Sequence, residues 1–233
     1  MMKYLFLLIA GLVMFGAQAQ NDQQQRDSIP FEFSRQAFIY EMAKNFNDPV
    51  IARMAIFNLI SFNPGNTALL DTLAVLYLDN NQPVSAALTA QESATIDPKD
   101  LFAVELAAIS FERIGATAKA IEFYERLYTS NFDINVVYKM GFLQMQVKRF
   151  IEASTNADII IEDPKSEKLK LMFQKSETEN QEILLKACGY RLKGMIEEDQ
   201  GNTSLAKEYY QKALDMEPDF VIMKEQLEAL NTK

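Results

Sequence analysis

An alanine recurs at a near-fixed interval down the chain, at Ala52, Ala86, Ala120 and Ala153, with gaps of 34, 34 and 33 residues. A fifth, Ala206, follows after 53 residues, one such interval plus 19. A period in this range is the signature of a repeat architecture in which each unit is one helix pair. One helix pair cannot bury its own apolar face, so the units must stack on one another to form a continuous core. That excludes an enclosed barrel or sandwich and points to a surface built for binding.

The remaining columns keep the same register. The first unit runs from Phe33 to Asn66 and has Tyr40 at position 8, Ala52 at 20, Leu59 at 27 and Pro64 at 32. The second, Thr67 to Asp100, has Leu73, Ala74, Tyr77, Ala86 and Pro98 at 7, 8, 11, 20 and 32. The third, from Leu101, carries Ala108, Phe111, Gly115, Ala120 and Tyr124 at 8, 11, 15, 20 and 24 but has Phe132 at 32. The fourth has Gly141 at 8 and Ala153 at 20, and is one residue short. The last, Ala187 to Phe220, is the sharpest, with Tyr190, Gly194, Gly201, Ala206, Tyr210, Ala213 and Pro218 at 4, 8, 15, 20, 24, 27 and 32.

Each column has a physical reason. Small residues at 8 and 20 let the two helices of a unit, A and B, approach closely, and large apolar residues around them fill the remaining space. Gly115 and Gly201 end helix A where a left-handed residue is needed. Proline at 32 stops helix B. Tyr40 breaks the small-residue rule, which predicts looser packing in the first unit. After Pro218, the residues Phe220, Met223, Leu227 and Leu230 share one helical face and predict a capping helix.

These columns resemble the tetratricopeptide repeat, over about 33–166 and 187–220. The departures are the absence of the family's tryptophan, Lys193 at the apolar position 7 and Glu197 at the aromatic position 11 of the last unit. The resemblance implies an all-α, right-handed helix-pair solenoid of about five units plus a capping helix. It also implies an inner groove lined by positions 2, 5, 9 and 12 of helix A. Carried over position by position, the groove includes Leu78, Phe102, Glu105, Ile109, Glu112, Tyr138, Phe142 and Met145, with Arg191 and Met195 from the last unit. The family's carboxylate-clamp version uses Lys and Asn at 5 and 9. Here those positions hold Ala37 and Glu41, Asp71 and Val75, and Glu105 and Ile109, so a C-terminal carboxylate is not the expected ligand. An apolar anchor beside Glu105 and Glu112 suits a basic, partly apolar protein segment. The competing expectation is that the protein's own insert or N-terminal tether fills the groove.

The extra 19 residues fall in 167–186. Lys168 to Phe173 alternates polar and apolar, Lys175 to Asn180 is polar, and Glu182 to Lys186 is again apolar between charges, which predicts a small β-hairpin at about 168–186. A turn without glycine leaves an N-terminal extension of the following helix as the alternative.

At the N-terminus, Lys3, the apolar run Leu5 to Phe15 and Ala17-Gln18-Ala19 have the form of a secretory signal, with cleavage expected after Ala19. The run is shorter than the roughly 20 residues of a membrane span. Residues 20–30 are polar and read as a flexible tether. The expected organisation is a signal peptide at 1–19, the tether at 20–30, four units at 31–166, the insert at 167–186, and the fifth unit with its cap at 187–233. The expected location is the periplasm or cell envelope.

The chain has no His, no Trp and one Cys. This removes imidazole bases, the Ser-His-Asp triad and most zinc sites, and it forbids an internal disulfide. No phosphate-binding loop is present, and a net charge of −9 disfavours nucleic acid and anionic membrane. The expected function is therefore a non-enzymatic scaffold that binds a protein or peptide, with no cofactor or metal. A structural subunit of an envelope complex, stacked on itself or on an outer-membrane assembly, is the second reading. An enzyme working through carboxylates alone is a distant third.

Overall fold

The computed structural model describes residues 31–232. The expected signal peptide and tether lie outside the described residues. Residues 31–45 are helical and form α1. They are followed by α2 (Pro49–Phe62), α3 (Thr67–Asp79), α4 (Pro83–Ile96), α5 (Leu101–Arg113), α6 (Thr117–Asn131), α7 (Ile134–Gln146) and α8 (Phe150–Glu162). A 3-10 turn (Pro164–Glu167) leads into β1 (Lys170–Gln174) and β2 (Asn180–Leu184), and then α9 (Leu185–Asp199), α10 (Thr203–Met216) and α11 (Val221–Asn231). The fold is all-α, in helix pairs, with one small antiparallel hairpin. The chain divides into two compact units, residues up to Lys99 and residues from Asp100 onward.

The alanine column is the centre of every pair. Ala52, Ala86, Ala120, Ala153 and Ala206 are all at most 2% exposed. Opposite them at position 8, Ala74 and Ala108 are fully buried, and the two glycines have no room for a side chain. A Cβ on Gly141 would lie 2.7 Å from Leu192 Cδ2 and 3.5 Å from the Ala153 carbonyl oxygen. A Cβ on Gly194 would lie 2.2 Å from Tyr210 Cε1. In the first pair, Tyr40 packs half-buried against Ile56, Leu59 and Leu73. Of α1, only Gln36 and Ala43 are buried.

Every helix A ends in the same way. Position 15 is left-handed in all five pairs, at Asn47, Asn81, Gly115, Lys148 and Gly201. The following amide donates back to the carbonyl of position 11, from Asp48 to Ala43 (2.8 Å), Gln82 to Tyr77 (2.8 Å), Ala116 to Phe111 (2.9 Å), Arg149 to Gln144 (2.8 Å) and Asn202 to Glu197 (2.8 Å). This is the Schellman arrangement, which satisfies carbonyls that a helix end otherwise leaves unpaired. Only two of these positions are glycine. Asn tolerates the conformation, whereas Lys148 holds it at a steric cost of about 1–2 kcal/mol.

Side chains cap the starts of α2, α3, α5 and α7. Asp48 accepts from the amides of Val50 and Ile51, with Pro49 at the first helical position. Asp100 accepts from Phe102 and Ala103, and Asp133 from Asn135.

In the compact unit from Asp100 onward the insert is a hairpin, with Lys170 opposite Leu184 and Gln174 opposite Asn180. It is shorter than the expected 168–186, because α9 already begins at Leu185. The tip manages without glycine. Ser176 Oγ accepts from the Glu179 amide at 3.1 Å, and Lys175 donates its amide to the Glu179 carbonyl at 2.8 Å. The hairpin rests on the α10–α11 corner. The Phe173 ring meets Phe220 edge to face at 5.0 Å, and the Leu184 amide donates to Glu217 Oε1 at 3.0 Å. The Gln181 carboxamide donates to the Asp219 carbonyl and accepts from the Val221 amide.

The unexpected Lys193 is buried with its ammonium on α8, donating to Asp158 Oδ2 at 2.6 Å and Ser154 Oγ at 2.7 Å. A charge at an apolar position is thereby paired and hydrogen-bonded, as burial demands. On α11, Met223 and Leu230 are buried beside Phe220, giving the capping face its core.

Two stability outcomes follow from this geometry. Gly194→Ala forces its methyl into the Tyr210 ring and is expected to cost about 1–3 kcal/mol. Lys148→Gly relieves the left-handed strain and is expected to add about 0.5–1 kcal/mol, less than the full strain because glycine is more flexible when unfolded. Urea denaturation midpoints measure both.

Candidate partner-binding face

Positions 102, 105, 109 and 112 lie at i, i+3, i+7 and i+10 on α5, one face of a helix. Phe102 is 52% exposed, Glu105 is exposed and Ile109 is half-buried. Among the described residues Glu105 has no hydrogen bond or ion pair, and its charge lies near the Tyr124 phenol. Glu112 is committed elsewhere. It accepts from the Tyr124 hydroxyl at 2.5 Å and from Lys139 Nζ at 3.3 Å, and Lys139 also lies over the Tyr124 ring.

The same inner columns on α7 have a different fate. Tyr138, Phe142 and Met145 are half-buried, packed on a cluster of Ala153, Ala157, Leu192 and Ile196 from α8 and α9. Tyr138 Oη accepts from Arg191 Nη1 at 3.4 Å, and Arg191 Nε donates to Gln226 Oε1 at 3.0 Å. The Phe173 ring from the hairpin covers the Arg191 guanidinium at 5.7 Å. The hairpin therefore reaches the inner column of α9, and Arg191 ties α7, α9, α11 and the insert together. Leu78, the remaining candidate, is half-buried on α3 in the compact unit that ends at Lys99.

Within the compact unit from Asp100 onward the candidates thus divide in two. Phe102 and Glu105 present an apolar ring and a carboxylate to solvent. Glu112, Tyr138, Phe142 and Met145 are engaged by the protein itself. Arg191 could be read from its position 5 in the last unit. Phe173 and Gln226 could not, because the insert and the cap lie outside the repeat register. Among the described residues no group of three or more His, Cys, Asp or Glu side chains is placed to hold a metal.

Burial governs the titrating groups here. Desolvation pushes the Tyr138 phenol up to about 12, and the Cys188 thiol, buried in α9, also up to about 12. Tyr124 and Tyr210 move in the same direction, through burial first and then through the hydrogen bonds to Glu112 and Glu198. A thiol held this high is poor in thiolate and unreactive at neutral pH. An unfolded tyrosine titrates near 10, so these phenols contribute stability in full below about pH 10. For Tyr138 that contribution is lost as pH rises from about 10 through 12, and for Tyr124 and Tyr210 the loss starts at the same point and extends higher. In an alkaline titration, helical circular dichroism is expected to fall together with the appearance of buried tyrosinate absorbance. A thiol reagent at neutral pH should label Cys188 only once denaturant is added.

The family model of the tetratricopeptide repeat matches residues 190–220. No curated protein matches the chain. Among solved structures, a crystal structure of the MamA protein has a TM-score of 0.62 at 18% identity, covering 80% of this chain and 92% of that one. A tetratricopeptide repeat protein from Parabacteroides merdae ATCC 43184 has a TM-score of 0.63 at 19% identity, covering 85% and 72%. YrrB, described as a tetratricopeptide repeat protein with an unusual peptide-binding site, has a TM-score of 0.64 at 12% identity, covering 80% and 87%. At these identities the likeness is one of fold. No described helix is long and apolar enough to cross a membrane. The last helix pair thus carries a matched tetratricopeptide repeat, and the chain around it has the helix-pair fold of tetratricopeptide-repeat proteins.

Proposed function

We propose that the protein is a non-enzymatic scaffold of the cell envelope that binds a segment of a partner protein on the inner face of α5. The observation that carries this reading is Phe102, an aromatic ring left 52% exposed at an inner position, with the uncommitted carboxylate of Glu105 three residues on. The inner aromatic residues of α7, Tyr138 and Phe142, are closed by the protein's own packing, which supports the α5 face as the part of the inner surface open to another chain. An exposed aromatic beside a carboxylate selects an apolar side chain flanked by Lys or Arg. The apolar contact supplies affinity, and the charge supplies selectivity and faster encounter.

The envelope assignment rests on the signal-like sequence of residues 1–19. Protein recovered from its native cells is expected to begin at Gln20, which N-terminal sequencing reads directly.

For the binding reading, peptides selected from a random library are expected to combine an apolar residue with neighbouring basic ones. Phe102→Ala and Glu105→Lys should each weaken the selected peptides by about tenfold, or about 1.4 kcal/mol, in fluorescence titrations. Affinities unchanged in both variants, with circular dichroism intact, would remove the α5 face from the reading.

A further inference from the structure

The first unit carries a surface that the proposed peptide site does not use. In a stack of helix pairs, positions 6 and 10 of each helix A face helix B of the unit before. On α9 these are Leu192 and Ile196, each 1% exposed and packed on Ala153 and Ala157 of α8. On α3, Leu76 at position 10 packs on Ile56 and Leu59 of α2. On α1 the same two columns are Phe38 and Met42, exposed by 66% and 39%, and Phe46 one turn further is exposed by 74%. With Ile51 of α2 they line an apolar depression of about 220 Å³. The residues before α1 in the chain, from Gln20 to Ser28, are polar throughout.

These side chains form a stripe at i, i+4 and i+8 along α1, several hundred Å² of apolar surface given the roughly 150–250 Å² that each aromatic can bury. That is the scale at which an exposed patch marks an interaction site. It would form the apolar centre of a face supplying the roughly 800 Å² per partner that a stable pair needs.

Charge identifies the partner. Residues 31–66 hold three acids, Glu32, Glu41 and Asp48, and three bases, Arg35, Lys44 and Arg53, so this pair is neutral in a chain of net −9. Glu32 is already paired with Arg35 at 2.7 Å, and Glu41 with Lys44 at 3.4 Å. The stripe therefore has no net field to draw a basic or an acidic ligand. It is also where two copies of an acidic protein can meet with little repulsion. The exposed columns are shaped for the face of another helix pair, and a second copy supplies one.

We infer that the protein forms a two-fold dimer through the α1–α2 edge, the α1 helices lying antiparallel. In an isologous contact of this kind, Met42 meets its counterpart at the axis and Phe38 of each copy meets Phe46 of the other.

Sedimentation velocity of the full chain across a concentration series tests this. The expected result is a dimer that Phe38→Glu with Met42→Glu converts to single chains at the same concentrations, with helical circular dichroism unchanged. If that variant loses helicity, Met42→Cys decides instead. Mild oxidation should then give a disulfide-linked dimer across the axis, and its absence overturns the inference. A single-chain mass for the unsubstituted protein overturns it too, whether residues 5–15 or a different protein covers the stripe. So does a dimer that survives the double replacement with its helicity intact.

Discussion

At positions 8 and 20 the two helices of a pair touch where side chains would ordinarily hold them apart. The contact works by omission. The methyl of Ala153 and the bare backbone of Gly141 let α7 and α8 approach, and larger residues then close the gap from the sides, as Leu192 does from α9. Close-packed interiors have little slack, so this one contact sets the spacing of the pair and, through it, what the next helix meets. The buried alanine column is repeated in all five pairs, although the surrounding apolar residues change identity freely.

Two further devices keep the pairs in register. The first is the left-handed residue at position 15 and the backbone hydrogen bond behind it, which fixes the angle at which helix A hands over to helix B. The second is a link from position 24 of helix B back to position 12 of helix A. Tyr124 donates to Glu112 in the third pair and Tyr210 to Glu198 in the fifth. Each buries a phenol against the small-residue contact while its hydroxyl finds a carboxylate, so a large ring is accommodated without an unpaired polar atom. The same link removes Glu112 from the set of side chains free to greet a partner.

The repeat was legible because its determinants are local and periodic. The alanine column, Gly115, Gly201 and the alternation of the insert each reflect one backbone or packing requirement, and each lies where its residue type predicts. The left-handed turns at Asn47, Asn81 and Lys148 were hidden, because Lys gives no hint of that conformation and Asn only a weak one. The state of the inner face was hidden for a different reason. Phe102 at position 2 and Phe142 at position 9 are both aromatic residues of the inner columns, yet one is open and the other packed. The difference depends on what the following helices bring, including Arg191, whose reach to Tyr138, Gln226 and Phe173 spans three separate segments. The buried Lys193 likewise reads as a misfit until Asp158 and Ser154 on another helix are seen beside it.

In a stack of repeats each pair leans only on its neighbours, so an end pair ordinarily frays first and alone. The hairpin changes that at this end of the second unit. It leaves the chain between α8 and α9, passes over α9, and is fastened to the α10–α11 corner through Phe220, Glu217 and Gln181. Opening α11 therefore requires undocking a segment that enters from α8, and the loss cannot stop at the last helix. The four closing elements, the hairpin, α9, α10 and α11, are bound into a single cooperative block. Slow amide exchange would then extend to the terminal helix instead of fading toward it.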